Sequence, residues 1–250
     1  MEKITIITIC KNSEKTIEKT INSIINQNYN NLEYIIIDGN SEDKTNNIIE
    51  KYKKCFPIIH ISENDKGIYN AMNKGVNISS GDWINFMNSG DTFYDKNTLK
   101  LIEKYLDNSY DIIYGNTEII YKDFKIIKKE PQPNKLWMGR TPHQSSFIKS
   151  STMKKHLYNE NNKIVADFEF FMKVYYSKGK IKKIDQIISS FTKDGISEKM
   201  DKQVILDAYK TIKNFKKGLI VDIYYNIIKI KPFLKKLFPR KIFKFIKSSF

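Results

Sequence analysis

Three acidic residues stand just past three separate apolar runs in the first half of the chain. Asp38 follows Tyr34–Ile37, Asp65 follows Ile58–Ile61, and Asp91 follows Trp83–Met87 through Asn88-Ser89-Gly90. Carboxylates gathered at neighbouring strand ends can accept hydrogen bonds from the base and ribose of a nucleotide. They can also hold a hard divalent cation, which takes oxygen ligands, against its phosphates. A second reading stays open for each of them taken singly: a strand-end Asp caps the helix that follows. Further on, Asp167 sits in Val165-Ala166-Asp167-Phe168-Glu169-Phe170-Phe171, where its plainest role is to stabilise the positive end of a helix.

The elements that must position these residues follow from apolar spacing. Ile4–Ile9 reads as a buried first strand, and Ile17, Ile21, Ile24 and Ile25 recur at helical spacing. After the strand Tyr34–Ile37, Ser41 is placed to cap the helix carrying Ile48 and Ile49. A third strand at Ile58–Ile61 leads to a helix with Ile68, Ala71, Met72 and Gly75 on one side, and a fourth covers Trp83–Met87. Strands alternating with amphipathic stretches predict βαβ units and a largely parallel sheet, and ligands of such sheets collect at the carboxyl ends of the strands. Beyond a helix at Leu101–Leu106 the pattern turns irregular through Pro131, Pro133 and Pro142. It returns as a helix around Asp167–Tyr176, a strand over Ile181–Phe191 and a loop, Thr192–Ser197.

Four segments resemble glycosyltransferase family 2, whose members are inverting enzymes with a GT-A fold. They are Ile4–Asn12, Tyr34–Thr45 with Ile-Asp-Gly-Asn-Ser-Glu-Asp-Lys-Thr, Ser62–Gly75 with Ser-Glu-Asn-Asp-Lys-Gly-Ile-Tyr-Asn-Ala-Met-Asn-Lys-Gly, and Gly81–Asp91. The likeness continues more weakly to about Ser197. It implies an α/β, GT-A-like nucleotide-binding domain at 1–205, with a mostly parallel central sheet flanked by helices. Residues 1–100 would form the nucleotide-sugar-binding half and 101–205 the acceptor-binding half, while 206–250 would be a basic amphipathic helical tail.

The resemblance also implies roles. Asp38 would meet the base and ribose, Asp65 and Lys66 would close the donor pocket, and Asn73 and Lys74 would lie near it. The family's metal motif is an Asp-x-Asp, and here Asn88 and Gly90 stand where its two carboxylates would be. Asp91 is then the charged ligand of a Mn2+ or Mg2+ ion, with Asn88 offering a carbonyl oxygen or a water-mediated contact on the donor side. Asp167 matches the general base that takes the proton from the acceptor hydroxyl, with Glu169 in reserve. His143 and Gln144 match a segment near the acceptor, where an imidazole orients the acceptor, touches the diphosphate or makes a structural hydrogen bond. Asp194-Gly195-Ile196-Ser197 matches a loop beyond the catalytic helix. The donor would be a UDP-sugar and the acceptor a glycan or lipid-linked glycan of a surface polysaccharide. A catalytically degenerate, membrane-associated nucleotide-binding relative is the alternative, because of the acids missing at 88 and 90.

Bulk properties exclude other classes. The chain of 250 residues can bury most of its apolar surface, so its two cysteines, Cys10 and Cys55, need form no disulfide and imply a reduced, cytoplasmic setting. Ile4–Cys10 is too short and too β-branched for a signal peptide. No window reaches the roughly 18 uncharged apolar residues of a spanning helix. The net charge of +15 is concentrated at the end: Lys210–Phe250 holds twelve Lys or Arg against one acid, Asp222. Such a block favours an anionic partner. Between Ile242 and Phe250 a helical reading puts Ile242, Phe243, Phe245, Ile246 and Phe250 in one arc, opposite Lys241, Lys244 and Lys247, with Phe233, Leu234, Leu237 and Phe238 before it and Pro239 as a kink. That is the pattern of an interfacial helix on an anionic leaflet, here the inner face of the cell membrane; packing back onto the catalytic domain is the competing reading. Nucleic acid is not the expected partner, since the basic excess is terminal and no zinc-finger or RNA-recognition signature is present. A sugar nucleotidyltransferase would show a glycine-rich loop after the first strand, where this chain has Cys10-Lys11-Asn12-Ser13.

Overall fold

The computed structural model describes residues 1–138, 143–192 and 201–237, with side chains described for 203–229 of the last stretch. The chain forms two compact units, Met1–Asp194 and Gly195–Phe250. In the first unit Ile4–Cys10 (β1) is buried at every residue, which is why an unbroken Ile-rich run suits it. Leu32–Asp38 (β2), Ile58–Ser62 (β3) and Trp83–Phe86 (β4) run parallel to it in the order β3-β2-β1-β4. Ile17–Ile25 (α1), Thr45–Lys53 (α2) and Ile68–Ile78 (α3) are the crossovers. Helix α1 buries Ile17, Thr20, Ile21 and Ile24, a single helical stripe.

Two local expectations are corrected here. Ser41 does not cap α2, whose N-cap is Lys44 without a side-chain hydrogen bond; its hydroxyl and amide both donate to Asp38 instead. Ile68, expected on the buried side of α3 with Ala71, Met72 and Gly75, is 47 % exposed. It stands in the wall of a pocket beside Lys66, Gly67, Tyr69, Asn70, Glu160 and Lys163.

The stretch that reads as irregular contains much of the remaining sheet. After Thr92–Phe93 (β5) and Thr98–Glu103 (α4), which begins three residues before the helix expected at Leu101–Leu106 and ends within it, come Ile112–Ile120 (β6), Lys125–Lys128 (β7), Ser146–Lys149 (β8) and Ser150–His156 (α5). Ala166–Tyr176 (α6) and Ile181–Thr192 (β9) complete the unit. Strand β6 escapes a hydropathy reading because it buries Asn116, Thr117 and Glu118. Buried polar groups need partners, and the neighbours supply them. Asn116 donates to Asp185 at 2.9 Å, Thr117 meets the Ser145 hydroxyl at 2.7 Å, and Ser190 donates to Glu118 at 2.8 Å.

The sheet continues β4-β8-β6-β9-β5, with β7 paired to β6. Its decisive feature is that β8 lies antiparallel between β4 and β6. Trp83 pairs with Lys149 and Ile84 with Ile148, so the start of β8 comes level with the end of β4. On the other side Cys10, Asp38 and Ser62 share one row at the carboxyl edge.

The second unit pairs Asp201–Lys213 (α7) with Leu219–Leu237 (α8). Asp222 ties them, accepting from Lys213 at 2.7 Å and from the Tyr209 hydroxyl at 2.5 Å. Among the described residues no helix is long and apolar enough to cross a membrane. The Asp194–Ser197 loop and the arc from Ile242 to Phe250, with Phe238 and Pro239, lie outside the described residues.

Helix α3 can approach the sheet because Gly75 has no side chain: a Cβ there would stand 2.6 Å from Cγ2 of the fully buried Ile7. Gly75→Ala therefore overpacks the joint between α3 and β1. The expected cost is about 1–3 kcal/mol, against roughly 1 kcal/mol of helix propensity gained. A melting temperature equal to or above wild type in calorimetry would contradict this packing.

Candidate functional site

The β2 end of the carboxyl edge is closed by Asp38. Its carboxylate is fully buried and accepts from the Ser41 amide at 2.9 Å, the Ser41 hydroxyl, and the Ser62 hydroxyl at 2.6 Å. Burial pushes this carboxyl up, but those hydrogen bonds outweigh it and hold it below the ordinary Asp range. Asp38 thus shapes the wall formed by Gly39, Asn40 and Ser41. Gly39 lets these groups close in, since a Cβ there would stand 3.1 Å from Oδ2 of Asp65 and 3.3 Å from the Lys11 side chain. Lys74 fixes the β3–α3 connection from below, bonding Asp65 at 2.7 Å, Glu63 at 2.7 Å and the Asn64 carbonyl at 3.0 Å. The Lys66 amide donates to Asn70. Asn73 stands apart from this group, because its side chain bonds the Tyr158 carbonyl, the Tyr158 amide and Glu160, all at 2.9–3.0 Å. It ties α3 to the loop before α6.

The other acids meet where β4 and β8 adjoin. Past β4 the chain stays bonded to β1, Met87 N to Ile7 O at 3.0 Å and Ser89 N to Ile9 O at 3.2 Å. It then turns at Gly90, whose φ of 98° suits glycine. Thr20 of α1 pins the turn, accepting from Gly90 N and donating to Asp91 O, both at 2.8 Å. The antiparallel β8 delivers His143 and Gln144 to this turn. Asn85 donates to the Gln144 and Ser146 carbonyls at 2.9 Å, Gln144 donates to Asp91 Oδ2 at 2.8 Å, and Asn88 Nδ2 lies 2.8 Å from His143 Nε2. The other imidazole nitrogen, Nδ1, is 3.5 Å from Asp167 Oδ2. Asp167, in the first turn of α6, also accepts from the Tyr69 hydroxyl at 3.0 Å.

A continuous chain therefore runs from Asn88 through His143 to Asp167 and Tyr69. The Asn88 amide thus meets Nε2 of the imidazole while Nδ1 faces Asp167. Burial pushes the Asp167 carboxyl up, but His143, the Phe168 amide and Tyr69 together hold it below the ordinary Asp range, so it is an ionised acceptor at neutral pH. Glu169 does not join this chain: it accepts from Asn159, Asn162 and Lys173 and anchors the preceding loop. Asp91 is only 6 % exposed, and burial pushes its carboxyl up to about 6, against the opposing pull of Gln144, His143 and Lys19.

The chain as a whole has known relatives. The family model for glycosyl transferase family 2 matches residues 5–178. The chain belongs to glycosyl transferase family 2. Curated relatives include a PGL/p-HBAD biosynthesis glycosyltransferase of Mycobacterium bovis, 26 % identical over 161 residues, which make up 62 % of each chain. This chain thus matches less than two thirds of that relative's length. Another is the UDP-Glc:alpha-D-GlcNAc-diphosphoundecaprenol beta-1,3-glucosyltransferase WfgD of Escherichia coli, 30 % identical over 125 residues, covering 50 % of this chain and 49 % of WfgD. Among solved structures, S. aureus TarS 1-349 in complex with UDP superposes with a TM-score of 0.67 at 20 % identity, over 92 % of this chain and 70 % of that one. The mannosyltransferase PcManGT from Pyrobaculum calidifontis, in complex with GDP-Man and Mn2+, gives 0.71 at 13 % identity over 93 % and 70 %. The GT-A-like fold expected from the sequence is the one observed.

The turn at residues 88–91 carries few candidate ligands. Among the described residues no three His, Cys, Asp or Glu side chains cluster in a way that could hold a metal ion. What the turn offers is the Asp91 carboxylate and the Oδ1 of Asn88, a buried acceptor with no hydrogen-bond partner. Such an orphaned oxygen is costly without a ligand. Two oxygen donors suit a hard cation whose remaining positions are filled by phosphate and water, so the residues fit Mn2+ or Mg2+. Tyr69, Thr20 and Glu160 were not singled out from sequence. For Tyr69 a signal existed, since a tyrosine on a buried helical stripe needs a partner for its hydroxyl.

The raised carboxyl of Asp91 has a definite sign for stability. A carboxyl that holds its proton more tightly when folded favours the fold below the unfolded value near 4 and loses that contribution as pH rises through about 6. In cation-free protein, Asp91→Asn is expected to melt above wild type at pH 7.5, by up to about 3 kcal/mol, with the gap closing by pH 4.5. A pH-independent gap in thermal melts would contradict the burial assigned to this carboxylate.

Proposed function

We propose that the protein transfers a sugar, hexosyl or N-acetylhexosaminyl, from a nucleotide-sugar donor to a hydroxyl of a glycan or lipid-linked glycan, with inversion, in surface polysaccharide synthesis. The observation that carries this reading is the bonded chain Asn88–His143–Asp167, which holds a carboxylate base in fixed relation to the turn where a diphosphate would lie. UDP is the favoured nucleotide: TarS is described in complex with UDP and with UDP-GlcNAc, and WfgD is named for UDP-Glc and a diphosphoundecaprenol-linked acceptor.

In this mechanism Asp38, Gly39 and Asp65 frame the base and ribose, with Lys66 and Lys74 supporting that wall. Asn73 contributes by holding α3 in place. Asp167 accepts the proton of the acceptor hydroxyl as its oxygen bonds to the anomeric carbon, while the bond from that carbon to the diphosphate oxygen breaks and the nucleoside diphosphate departs. His143 keeps the carboxylate oriented and ionised, and with Gln144 forms the floor between acceptor and turn. Asn88 and Asp91 would hold a Mn2+ or Mg2+ ion, which supplies positive charge to the leaving diphosphate. The lipid-linked acceptor places the protein on the cytoplasmic side, peripheral to the membrane's inner face.

Thermal stabilisation tests the donor site. At a hundredfold excess over Kd, a nucleotide contributes about 2.7 kcal/mol, or roughly 5–10 °C for a chain of this size. UDP with Mn2+ is expected to give that shift in wild type and little or none in Asp91→Ala, with GDP as the comparison. Absence of any shift with every nucleotide and cation would remove the donor site and with it the transferase reading.

A further inference from the structure

Helix α8 carries two faces of opposite exposure. Val221 and Tyr225 are buried at 0 % and 3 %, and Asp222 is bonded to α7. Leu219, Ile220, Ile223 and Ile227 are instead exposed at 78 %, 62 %, 52 % and 57 %. Their spacing puts them on one stripe of about two turns. Contiguous exposed apolar side chains of this size mark an interaction surface. No other described segment shows such a run; the remaining exposed large hydrophobics, such as Ile59, Ile78 and Phe124, are scattered.

The charge of the same stretch of sequence identifies what covers the stripe. From Lys210 onward the sequence holds twelve basic residues against Asp222 alone, and Asp222 is neutralised internally by Lys213. A second copy of the same surface would bring two strongly cationic segments together. An anionic bilayer instead accepts the apolar stripe at its headgroup boundary and attracts the basic residues of the same stretch of sequence. A spanning role is ruled out for the described helices by their length and charge. The geometry points to the exposed face of α8, Leu219, Ile220, Ile223 and Ile227, as the surface that lies on an anionic lipid leaflet.

This extends the lipid-linked acceptor of the proposed function and gives the membrane contact a place in the described structure. The test uses full-length protein and sedimentation with vesicles of phosphatidylcholine, alone or mixed with phosphatidylglycerol. Wild type is expected to bind the mixed vesicles and not the neutral ones, with binding weakened by salt. The double variant Ile223→Ser, Ile227→Ser is expected to bind about tenfold to a hundredfold less. Its melting temperature and its response to UDP should match wild type, which separates this surface from the donor site. Equal vesicle binding by wild type and variant overturns the proposal, as does failure of wild type to bind anionic vesicles. A wild-type dimer that dissociates in the variant while vesicle binding persists would overturn it too, by assigning the stripe to a second copy.

Discussion

The imidazole of His143 lies 2.8 Å from Asn88 and 3.5 Å from Asp167, and the rest of the site depends on that placement. It exists because β8 runs antiparallel between β4 and β6. A parallel strand there would carry its carboxyl end to the turn, and residues preceding it would lie at the far edge of the sheet. The antiparallel insertion brings an amino end instead, and with it His143 and Gln144. Helix α6 then needs only to present the acid of its first turn. Tyr69 on α3 completes the grip on Asp167 and so links that carboxylate to the position of α3 against β1, through Gly75 and Ile7.

The turn at 88–91 shows what this arrangement costs. A carboxylate that is 6 % exposed with one amide donor, and an amide oxygen with no partner, are both unfavourable in the isolated protein. Thr20 holds the backbone of the turn so that neither group relaxes away. Preorganised polar groups of this kind are worth more in a site that excludes water than their cost to the fold. With Asn88 and Gly90 in place of acids, the negative charge of the turn rests on Asp91, and the neutral Asn88 is free to join the imidazole chain.

How much of this was legible in the sequence follows from what each residue type can signal. Strands β1–β4 are short, mostly apolar runs broken only by single polar residues, with Asp38 closing β2 and Asp65 and Asp91 within a few residues of the ends of β3 and β4. That Asp167 opens a helix was legible from the apolar residues that follow it, and the first turn of α6 holds it; the role of base came from the family resemblance alone. Strand β6 was not, because Asn116, Thr117 and Glu118 break its run and find partners on strands far away in sequence. Strand β8 is four residues long, too short for a period to show. Asn73 was expected near the donor pocket, and Tyr69 carried no expectation. Their hydrogen bonds reach residues 158–167, a relation that spacing along the chain does not encode.

The central claim is that Asp167 serves the chemical step while the donor site stands without it. The most direct measurement is the transfer rate of Asp167→Asn beside its Kd for UDP in the presence of Mn2+, since asparagine keeps the volume and an acceptor for Tyr69 but cannot take a proton. The account predicts that kcat falls by at least about a hundredfold while the UDP Kd changes less than about threefold. Transfer within a few fold of wild type would contradict it, and would move the base to another residue.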